Sequence, residues 1–323
     1  MSFLRNIKKY IPDIFILAII IMIVLAYFFP GIGGEGSAIE LKTVSKYAVM
    51  LLFFFYGLRL SPEKLKNDLK NWKLHITIQL ITFLFFPLVV LIFYPFIRNT
   101  EYETLWLALF FLAALPSTVS SSVVLVSIAK GNVTGAIFNA SISGVIGILI
   151  TPLWMGFFLT QSARDYNLLK VFLDLILQIL APVIAGLLLH RFWGNWALRN
   201  KEYFSLYDRC VILTIVYKSF SESFLNGIFK DIPNWTLFVL FGVVIGLFFL
   251  SLGFSSWISK KQKFSREDRI TVIFCGTNKS LMHGTVMSSV ILAGIPAASL
   301  FLVPIMIYHA FQLFYLSILS RKL

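Results

Sequence analysis

The sequence predicts an all-α membrane protein of about ten transmembrane helices. Of its 323 residues, 58% are hydrophobic and only 13% are charged, whereas soluble domains contain roughly 25% charged residues. Apolar stretches of about 20 residues, the length that crosses the hydrocarbon core of a bilayer, follow one another along the whole chain with short connections. We therefore expect a single transmembrane domain over residues 1–323, with the lipid bilayer around it and no soluble module.

Hydrophobic windows place the individual spans. The least convincing window is 205–227, because Lys218, Ser221, Glu222 and Asn226 lie in its second half. The expected spans are 11–29, 44–60, 74–97, 104–130, 133–160, 167–191, 205–227, 235–258, 268–292 and 296–320.

The basic residues predict the orientation of the chain. The net charge of +13 could suggest a nucleic-acid partner, but most of the Lys and Arg residues lie in the short loops between spans or near the ends of spans. If the N-terminus is cytoplasmic, 20 of the 28 basic residues lie on the inner side, seven lie on the outer side, and Lys279 falls within a span. Short cytoplasmic loops carry an excess of Lys and Arg. We therefore expect a multi-pass protein of the cell membrane with both termini cytoplasmic, and no nucleic-acid partner.

Ten spans divide into two sets of five. Because each set has an odd number of spans, the second set begins on the opposite side of the membrane and runs upside down relative to the first. Inverted repeats of this kind are typical of secondary transporters, whose site lies at the repeat interface. Here repeat one would cover about 11–160 and repeat two about 167–320. The fourth span of each set is interrupted by polar residues, at 115–122 and at 275–280. Matching interruptions point to a binding site.

The first interruption begins at Pro116, which lacks a backbone N–H and disrupts the preceding helical turn. The carbonyls freed near Leu112 and Ala113 then need partners, because lipid offers none. Nearby hydroxyls could supply these partners or coordinate an ion. The alternative is that the hydroxyls bond to their own helix and allow close packing. The hydroxyl residues are Ser117, Thr118, Ser120, Ser121 and Ser122.

The second interruption contains Lys279, which lies about ten positions from either end of its span and therefore near the middle of the membrane. A lysine at that depth must be compensated by a buried carboxylate, by a bound anion or by loss of its proton. Asp174 is a candidate partner in another span, but neither interruption contains a carboxylate. An anionic substrate is therefore an attractive partner for Lys279.

These arguments give a set of candidate binding residues on or beside the two interruptions. We expect Ser121, Ser122, Asn139, Thr277 and Asn278 to line one cavity. His283 follows Lys279 by four residues, although a histidine in an apolar helix is often a hydrogen-bonded structural group. The full predicted set is Pro116, Ser117, Thr118, Ser120, Ser121, Ser122, Asn139, Ser141, Thr277, Asn278, Lys279, Ser280 and His283.

The motifs at these positions identify a family over nearly the whole chain. The chain resembles the bile acid:sodium symporter family, and within it the branch typified by the sodium/bile acid cotransporter seven proteins. The motifs that carry the resemblance are Val119-Ser120-Ser121-Ser122, Gly131-Asn132, Phe138-Asn139, Thr151-Pro152-Leu153, Phe274-Cys275, Lys279-Ser280-Leu281 and Tyr308-His309.

The resemblance implies an architecture and a set of ion ligands. Helices one, two, six and seven would form a panel domain, and the other six would form a core domain in which the unwound fourth and ninth helices cross. Sodium and substrate would bind beside the crossing, with Ser121, Ser122 and Asn139 as sodium ligands. The chain departs from the family pattern in having Ser121-Ser122 in place of a Ser-Asn pair, in lacking the glutamate near 274–275, and in adding Lys279. A lysine 4 Å from a sodium ion would oppose its binding by about 4 kcal/mol at an effective dielectric constant near 20.

We therefore expect a secondary active symporter for a small organic anion, without a cofactor, coupled to sodium as the resemblance implies or to protons through Lys279. Two other readings stay open. One is a membrane regulator that keeps a transporter fold but moves no substrate. The other is an intramembrane hydrolase with Ser120, Ser121 or Ser122 as nucleophile and Lys279 as base, for which the sequence shows no second base and no evident oxyanion hole. Enzyme motifs such as H-E-x-x-H are absent from the sequence, so we expect a protein that is not an enzyme.

Overall fold

The computed structural model describes residues 11–33, 41–60, 71–162, 168–228, 230, 233–293, 295 and 297–323. Regular secondary structure within these ranges is helical throughout, with no strand. Besides two four-residue helices at Pro30–Gly33 and Tyr94–Ile97, twelve helices are labelled in chain order. They are α1 (Ile11–Phe28), α2 (Leu41–Arg59), α3 (Trp72–Leu91), α4 (Glu103–Ala114), α5 (Val119–Ile128), α6 (Val133–Ser162), α7 (Leu168–Leu175, Ile176–Leu180 and Ala181–Arg199), α8 (Lys201–Leu225), α9 (Asn234–Lys261), α10 (Arg266–Thr277), α11 (Leu281–Ile291) and α12 (Ala298–Ser320).

The helices have the length and hydropathy of a multi-pass membrane protein. Five stretches are long and apolar enough to cross a membrane, and two shorter helices, Phe15–Phe28 and Glu103–Ala114, are also apolar. Large apolar side chains cover the outer surface, as lipid contact requires; Phe238, for example, is 78% exposed. The five long stretches are Trp72–Leu91, Val133–Leu159, Leu173–Arg199, Trp235–Lys261 and Ala298–Ser320.

Two groups of helices form the main packing contacts. In the first group, α2 packs along α7, and α8 packs against α1 and α2. In the second group, α9 packs against α10 and α12, α4 packs against α3 and α12, and α5 packs against α6. Helix α8 also contacts α11 and α12, so the two groups meet along it. The second group contains both interrupted spans.

Helices α2 and α7 approach closely at a pair of glycines. A Cβ atom added at Gly57 would lie 2.1 Å from the carbonyl oxygen of Val183, and one added at Gly186 would lie 2.1 Å from the carbonyl oxygen of Phe54. Because lipid provides no hydrophobic drive for helix association, membrane helices pack through small residues that let their backbones come together. The two glycines are therefore structural contacts of the first helix group.

Gly57→Ala should destabilise the protein, because the added methyl group meets backbone that cannot move aside. Overpacking of this kind costs about 1–3 kcal/mol, which should lower the thermal unfolding midpoint of the protein in detergent. Gly242→Ala in α9 is the matched control, since no atom lies within 4 Å of a Cβ at Gly242. Equal midpoints for the two variants would contradict the close contact between α2 and α7.

Candidate functional site

The two interruptions lie where the sequence predicts them. Helix α4 ends at Ala114 and α5 begins at Val119, so the window expected at 104–130 is two helices separated by extended backbone. In the same way α10 ends at Thr277 and α11 begins at Leu281, within the window expected at 268–292. We call residues 115–118 the first break and residues 278–280 the second break.

The two breaks are hydrogen-bonded to each other inside the protein. The backbone N–H of Ser280 donates to the carbonyl of Pro116 at 2.9 Å, and the Ser117 hydroxyl donates to the carbonyl of Cys275 at 2.7 Å. Because a proline at 116 leaves the preceding turn unpaired, groups from the other interrupted span complete the hydrogen bonding. The breaks therefore hold each other in place.

Oxygen atoms of the half-helices beside the breaks are only partly paired. Asn278 Nδ2 donates to Ser122 Oγ at 2.8 Å, which ties α5 to the second break. Among the buried side-chain oxygens of the described residues that have no hydrogen-bond partner, three lie within three residues of a break: Ser121 Oγ, Thr277 Oγ1 and Asn278 Oδ1. Buried polar groups without partners are rare in native proteins and need an explanation, such as a bound ion or water.

Lys279 is the most enclosed charged residue of this region, with 1% of its surface exposed. Its Nζ donates to the carbonyl oxygens of Ala113 at 2.6 Å, Leu115 at 2.8 Å and Thr82 at 2.9 Å. It also lies 4.1 Å from the centroid of the Phe86 ring, within the range of a cation–π contact. An ammonium group has three N–H donors, so these three carbonyls use all of them.

Two of the three carbonyls are available because α4 stops at the first break. In a continuous helix the carbonyl of Ala113 would accept from the N–H of Ser117, but that N–H donates to Ser143 Oγ of α6 at 3.0 Å. The carbonyl of Leu115 belongs to the break itself. Both oxygens therefore remain free for Lys279.

The third carbonyl is available because α3 contains a π-helical turn over Ile81–Phe85. In this turn the N–H of Phe86 donates to the carbonyl of Ile81 rather than to that of Thr82. The next residue, Pro87, has no N–H to offer. The carbonyl of Thr82 thus lacks a partner within its own helix and accepts from Lys279.

Helix α12 supports the second break from the other side. Gln312 Oε1 accepts from the backbone N–H of Lys279 at 2.9 Å, and Gln312 Nε2 donates to the carbonyl of Lys279 at 2.8 Å. The Tyr308 hydroxyl donates to the carbonyl of Thr277 at 2.7 Å. Neither Gln312 nor Tyr308 was in the predicted set. The only sequence signal for Gln312 is that it is a polar residue within the last apolar span.

The described partners of Lys279 are backbone carbonyls. Within the described residues, Lys279 and Asp174 form no ion pair, and neutral carbonyls surround the ammonium instead. A hydrogen bond to a charged group contributes about 1.5–3 kcal/mol, whereas a lysine at the bilayer centre costs about 2.5–3.5 kcal/mol. Three such bonds together are therefore comparable to the cost of placing the charge at this depth.

The other predicted residues differ in whether their side chains contact the breaks. Asn139 is buried, but its Nδ2 donates to the carbonyl of Gly135 and lies 2.8 Å from His75 Nδ1 of α3. Its described side-chain hydrogen bonds thus go to α3 and to its own helix. None of them goes to Ser121, Ser122 or another residue of the breaks, so the expectation that these side chains line one cavity stays a prediction. Thr118 precedes α5 and its side chain makes no capping hydrogen bond. The side chain of Ser120 lies outside the described residues.

His283 and Ser141 lie towards α2. The Tyr56 hydroxyl donates to the carbonyl of Ser141 at 2.9 Å, and the Tyr56 ring packs edge-on against His283. His283 Nδ1 lies 2.9 Å from Ser280 Oγ, which also accepts from the His283 N–H. Ser280 therefore caps α11, and His283 packs between the helix groups with no described hydrogen-bond partner at its buried Nε2.

The serine–lysine hydrolase reading does not fit this arrangement. A lysine that activates a serine must be deprotonated and within hydrogen-bond reach of that hydroxyl. Here Lys279 Nζ donates to three carbonyls, and the described hydrogen bond of Ser122 is to Asn278. The amine is therefore not available as a general base.

Comparisons with known proteins show similarity over nearly the whole chain. The model of the SBF-like CPA transporter family matches residues 13–323, which include both breaks. The chain is 34% identical to Sodium/bile acid cotransporter 7 of Xenopus tropicalis over 323 residues, covering 99% of this chain and 93% of that protein. It is 31% identical to the protein of the same name from Rattus norvegicus over 323 residues, covering 99% and 94%.

A bacterial relative shows the same extent of similarity. The chain is 34% identical to Uncharacterized protein PA2026 of Pseudomonas aeruginosa over 314 residues, covering 97% of this chain and 93% of that protein. The resemblance to sodium/bile acid cotransporters inferred from the motifs is thereby confirmed, and it indicates a membrane transporter rather than an enzyme. The chain belongs to the SBF-like CPA transporter family.

Proposed function

We propose that the chain is a secondary active symporter that carries a small organic anion across the cell membrane. The observation that carries this proposal is the meeting of two broken helices around a buried positive charge at Lys279. Discontinuous helices that face each other across a repeat interface are the usual substrate and ion sites of secondary transporters. Relatives named as sodium/bile acid cotransporters support a coupled anion transporter.

The charge at the breaks favours an anionic substrate. Helices α5 and α11 both begin at a break, and a helix N-terminus carries about half a positive charge. Unpaired N–H groups at such ends bind anions. The breaks contain Lys279 and no carboxylate. An organic anion placed between the two helix ends would therefore meet only favourable charge.

The unpaired oxygens beside the breaks support a cation as the coupling ion. Ser121 Oγ, Thr277 Oγ1 and Asn278 Oδ1 are buried without described partners, and hydroxyl and amide oxygens are ligands for hard cations. We propose that these atoms, with Ser122, bind sodium as a cotransported substrate. Asn139, a sodium ligand by family resemblance, would contribute its amide oxygen Oδ1, which also accepts from Gln79 Nε2 at 3.3 Å.

Proton coupling through Lys279 is the second candidate, favoured by the presence of a lysine between the breaks. The three carbonyls hold the protonated amine in this conformation, so proton release would require the second break to move away from α3 and α4. On this mechanism Lys279→Arg should fail as completely as Lys279→Ala, because a guanidinium does not release its proton.

The proposed architecture is ten spans in two inverted five-helix repeats, with both termini cytoplasmic. The first helix group, α1, α2, α7 and α8, corresponds to the panel domain, and the remaining helices correspond to the core domain. This assignment is supported by the separate packing of the two groups and by the distribution of basic residues.

Uptake into proteoliposomes tests the proposed function. A panel of organic anions would be offered with a sodium gradient and a pH gradient imposed separately, using wild type, Lys279→Ala and Lys279→Arg. Lys218→Ala is a matched control, because Lys218 pairs with Glu222 on the surface of α8 and not with the breaks. We expect wild-type and Lys218→Ala uptake to follow the sodium gradient, and both Lys279 variants to be impaired.

The other outcomes separate the alternatives. Uptake that follows only the pH gradient and disappears in both Lys279 variants would establish proton coupling. Anion binding without uptake under either gradient would establish the regulator reading and contradict symport.

A further inference from the structure

We propose that the carbonyls of Thr82, Ala113 and Leu115 form a monovalent-cation site, which Lys279 fills with its own ammonium group. This inference goes beyond the proposed function, because it requires neither a transported anion nor a bound sodium ion. The three oxygens lie 2.6–2.9 Å from Nζ. A set of carbonyl oxygens around one point replaces the hydration shell of a monovalent cation, as in potassium channels.

The site is made of backbone from two separate elements. Thr82 is in the π-helical turn of α3, whereas Ala113 and Leu115 are at the end of α4. The Phe86 ring closes another side at 4.1 Å, and the face of an aromatic ring attracts a cation. Lys279 is therefore the only part of this arrangement, among the described residues, that comes from the second break.

Removing the lysine side chain should leave the site in place. The carbonyls remain without helical partners for reasons independent of Lys279, namely the π-helical turn, Pro87 and the bond from Ser117 to Ser143. Gln312 holds the peptide groups on both sides of Lys279, so the second break keeps its path. A shorter side chain at 279 then leaves three carbonyls facing the space that the ammonium filled.

The Lys279 ammonium, being part of the chain, restricts movement of the second break relative to α3 and α4. The ammonium joins α3 and α4 to the second break through three charge-assisted hydrogen bonds, which are stronger than neutral ones. These elements can separate only if all three bonds break together. Lys279 thus acts as a built-in ion that holds the breaks closed, where a free ion would come and go.

Thermal unfolding of purified protein in detergent tests this assignment. Wild type, Lys279→Ala and Lys279→Met would be compared in ammonium, potassium and choline chloride at equal ionic strength, with sodium left out. We expect a midpoint for Lys279→Ala that is low in choline and rises saturably, on the order of 5 °C, with ammonium or potassium. Wild type should not respond, because its site is filled. Lys279→Met should be low in every salt, because an apolar side chain fills the space.

A second measurement on the wild-type protein keeps the test decisive if Lys279→Ala does not fold. With ¹⁵N-labelled lysine, the Lys279 amine should give an ¹⁵N signal split by three protons that exchange slowly with water. A Lys279→Ala midpoint that is independent of the cation would overturn the assignment. So would the absence of any slowly exchanging lysine ammonium in wild type. Neither readout involves uptake, so each can fail independently of the proposed symport.

Discussion

Lys279→Glu is expected to yield little or no folded protein. Among the described residues, every polar atom within hydrogen-bond distance of Lys279 Nζ is a carbonyl oxygen. A carboxylate can only accept hydrogen bonds when ionised. The variant would place a negative charge against three acceptors in a dry interior. An uncompensated buried charge costs about 3–5 kcal/mol, a large part of the total stability of about 5–15 kcal/mol.

The matched control for this variant is Lys218→Glu. Lys218 lies four residues before Glu222 on α8, with its side chain 21% exposed, so the same substitution there creates only a like-charge pair worth about 0.2–0.5 kcal/mol. The measurement is the amount of monodisperse protein recovered from membranes by gel filtration in detergent. Similar recovery of both variants would show that the carbonyls do not surround the charge as described.

Gln312→Leu should have the next largest effect, although Gln312 lies outside the breaks. Its amide satisfies both the N–H and the carbonyl of Lys279, and leucine is of similar size but can pair with neither. Leaving a buried polar group unpaired costs about 1–3 kcal/mol, and here two such groups are left. We therefore expect a thermal unfolding midpoint well below that of wild type. The second break should also be held less firmly beside the first break.

Two further substitutions make this prediction specific. Gln312→Glu keeps an acceptor for the Lys279 N–H but loses the donor to its carbonyl, so its destabilisation should be intermediate. Gln262→Leu is a control, because Gln262 is exposed and only accepts a bond from Thr77. If Gln312→Leu were no less stable than Gln262→Leu, the support of the second break by α12 would be incorrect.

The breaks could be predicted from sequence because their causes are local. Pro116 removes a backbone donor, and polar residues at 276–280 interrupt an otherwise apolar window. Both signals are visible in a short stretch of chain. The two breaks also occupy equivalent places in two sets of five spans, and the family resemblance implied that they cross. The hydrogen bond from Ser280 to Pro116 joins them.

The three carbonyls around Lys279 were not anticipated, for a physical reason. The sequence shows a buried cation and, separately, carbonyls that Pro116 sets free. The expectation left open whether neighbouring hydroxyls pair with these carbonyls or coordinate an ion. In the structure the Ser117 hydroxyl instead reaches Cys275, and the freed carbonyls of Ala113 and Leu115 accept from Lys279. The lysine and the freed carbonyls were each identified from the sequence. Whether they pair with each other depends on which helices are adjacent, and a single sequence does not specify this.

The contribution of α3 was not predictable at all. A π-helical turn has no reliable residue pattern, and Pro87 by itself indicates only a kink. The same limit applies to Asn139, which was expected to line one cavity with Ser121 and Ser122 and whose side chain lies 2.8 Å from His75 Nδ1 of α3. Side-chain direction within a packed bundle is set by tertiary contacts that the order of residues along one helix does not contain.

A density map of the protein with a transported anion bound tests the central claim most directly. The account predicts the anion between the N-terminal ends of α5 and α11, beside Ser121 and Asn278, with Lys279 still bound to its three carbonyls. An anion bound away from both breaks would contradict a transport site built where the two broken helices meet.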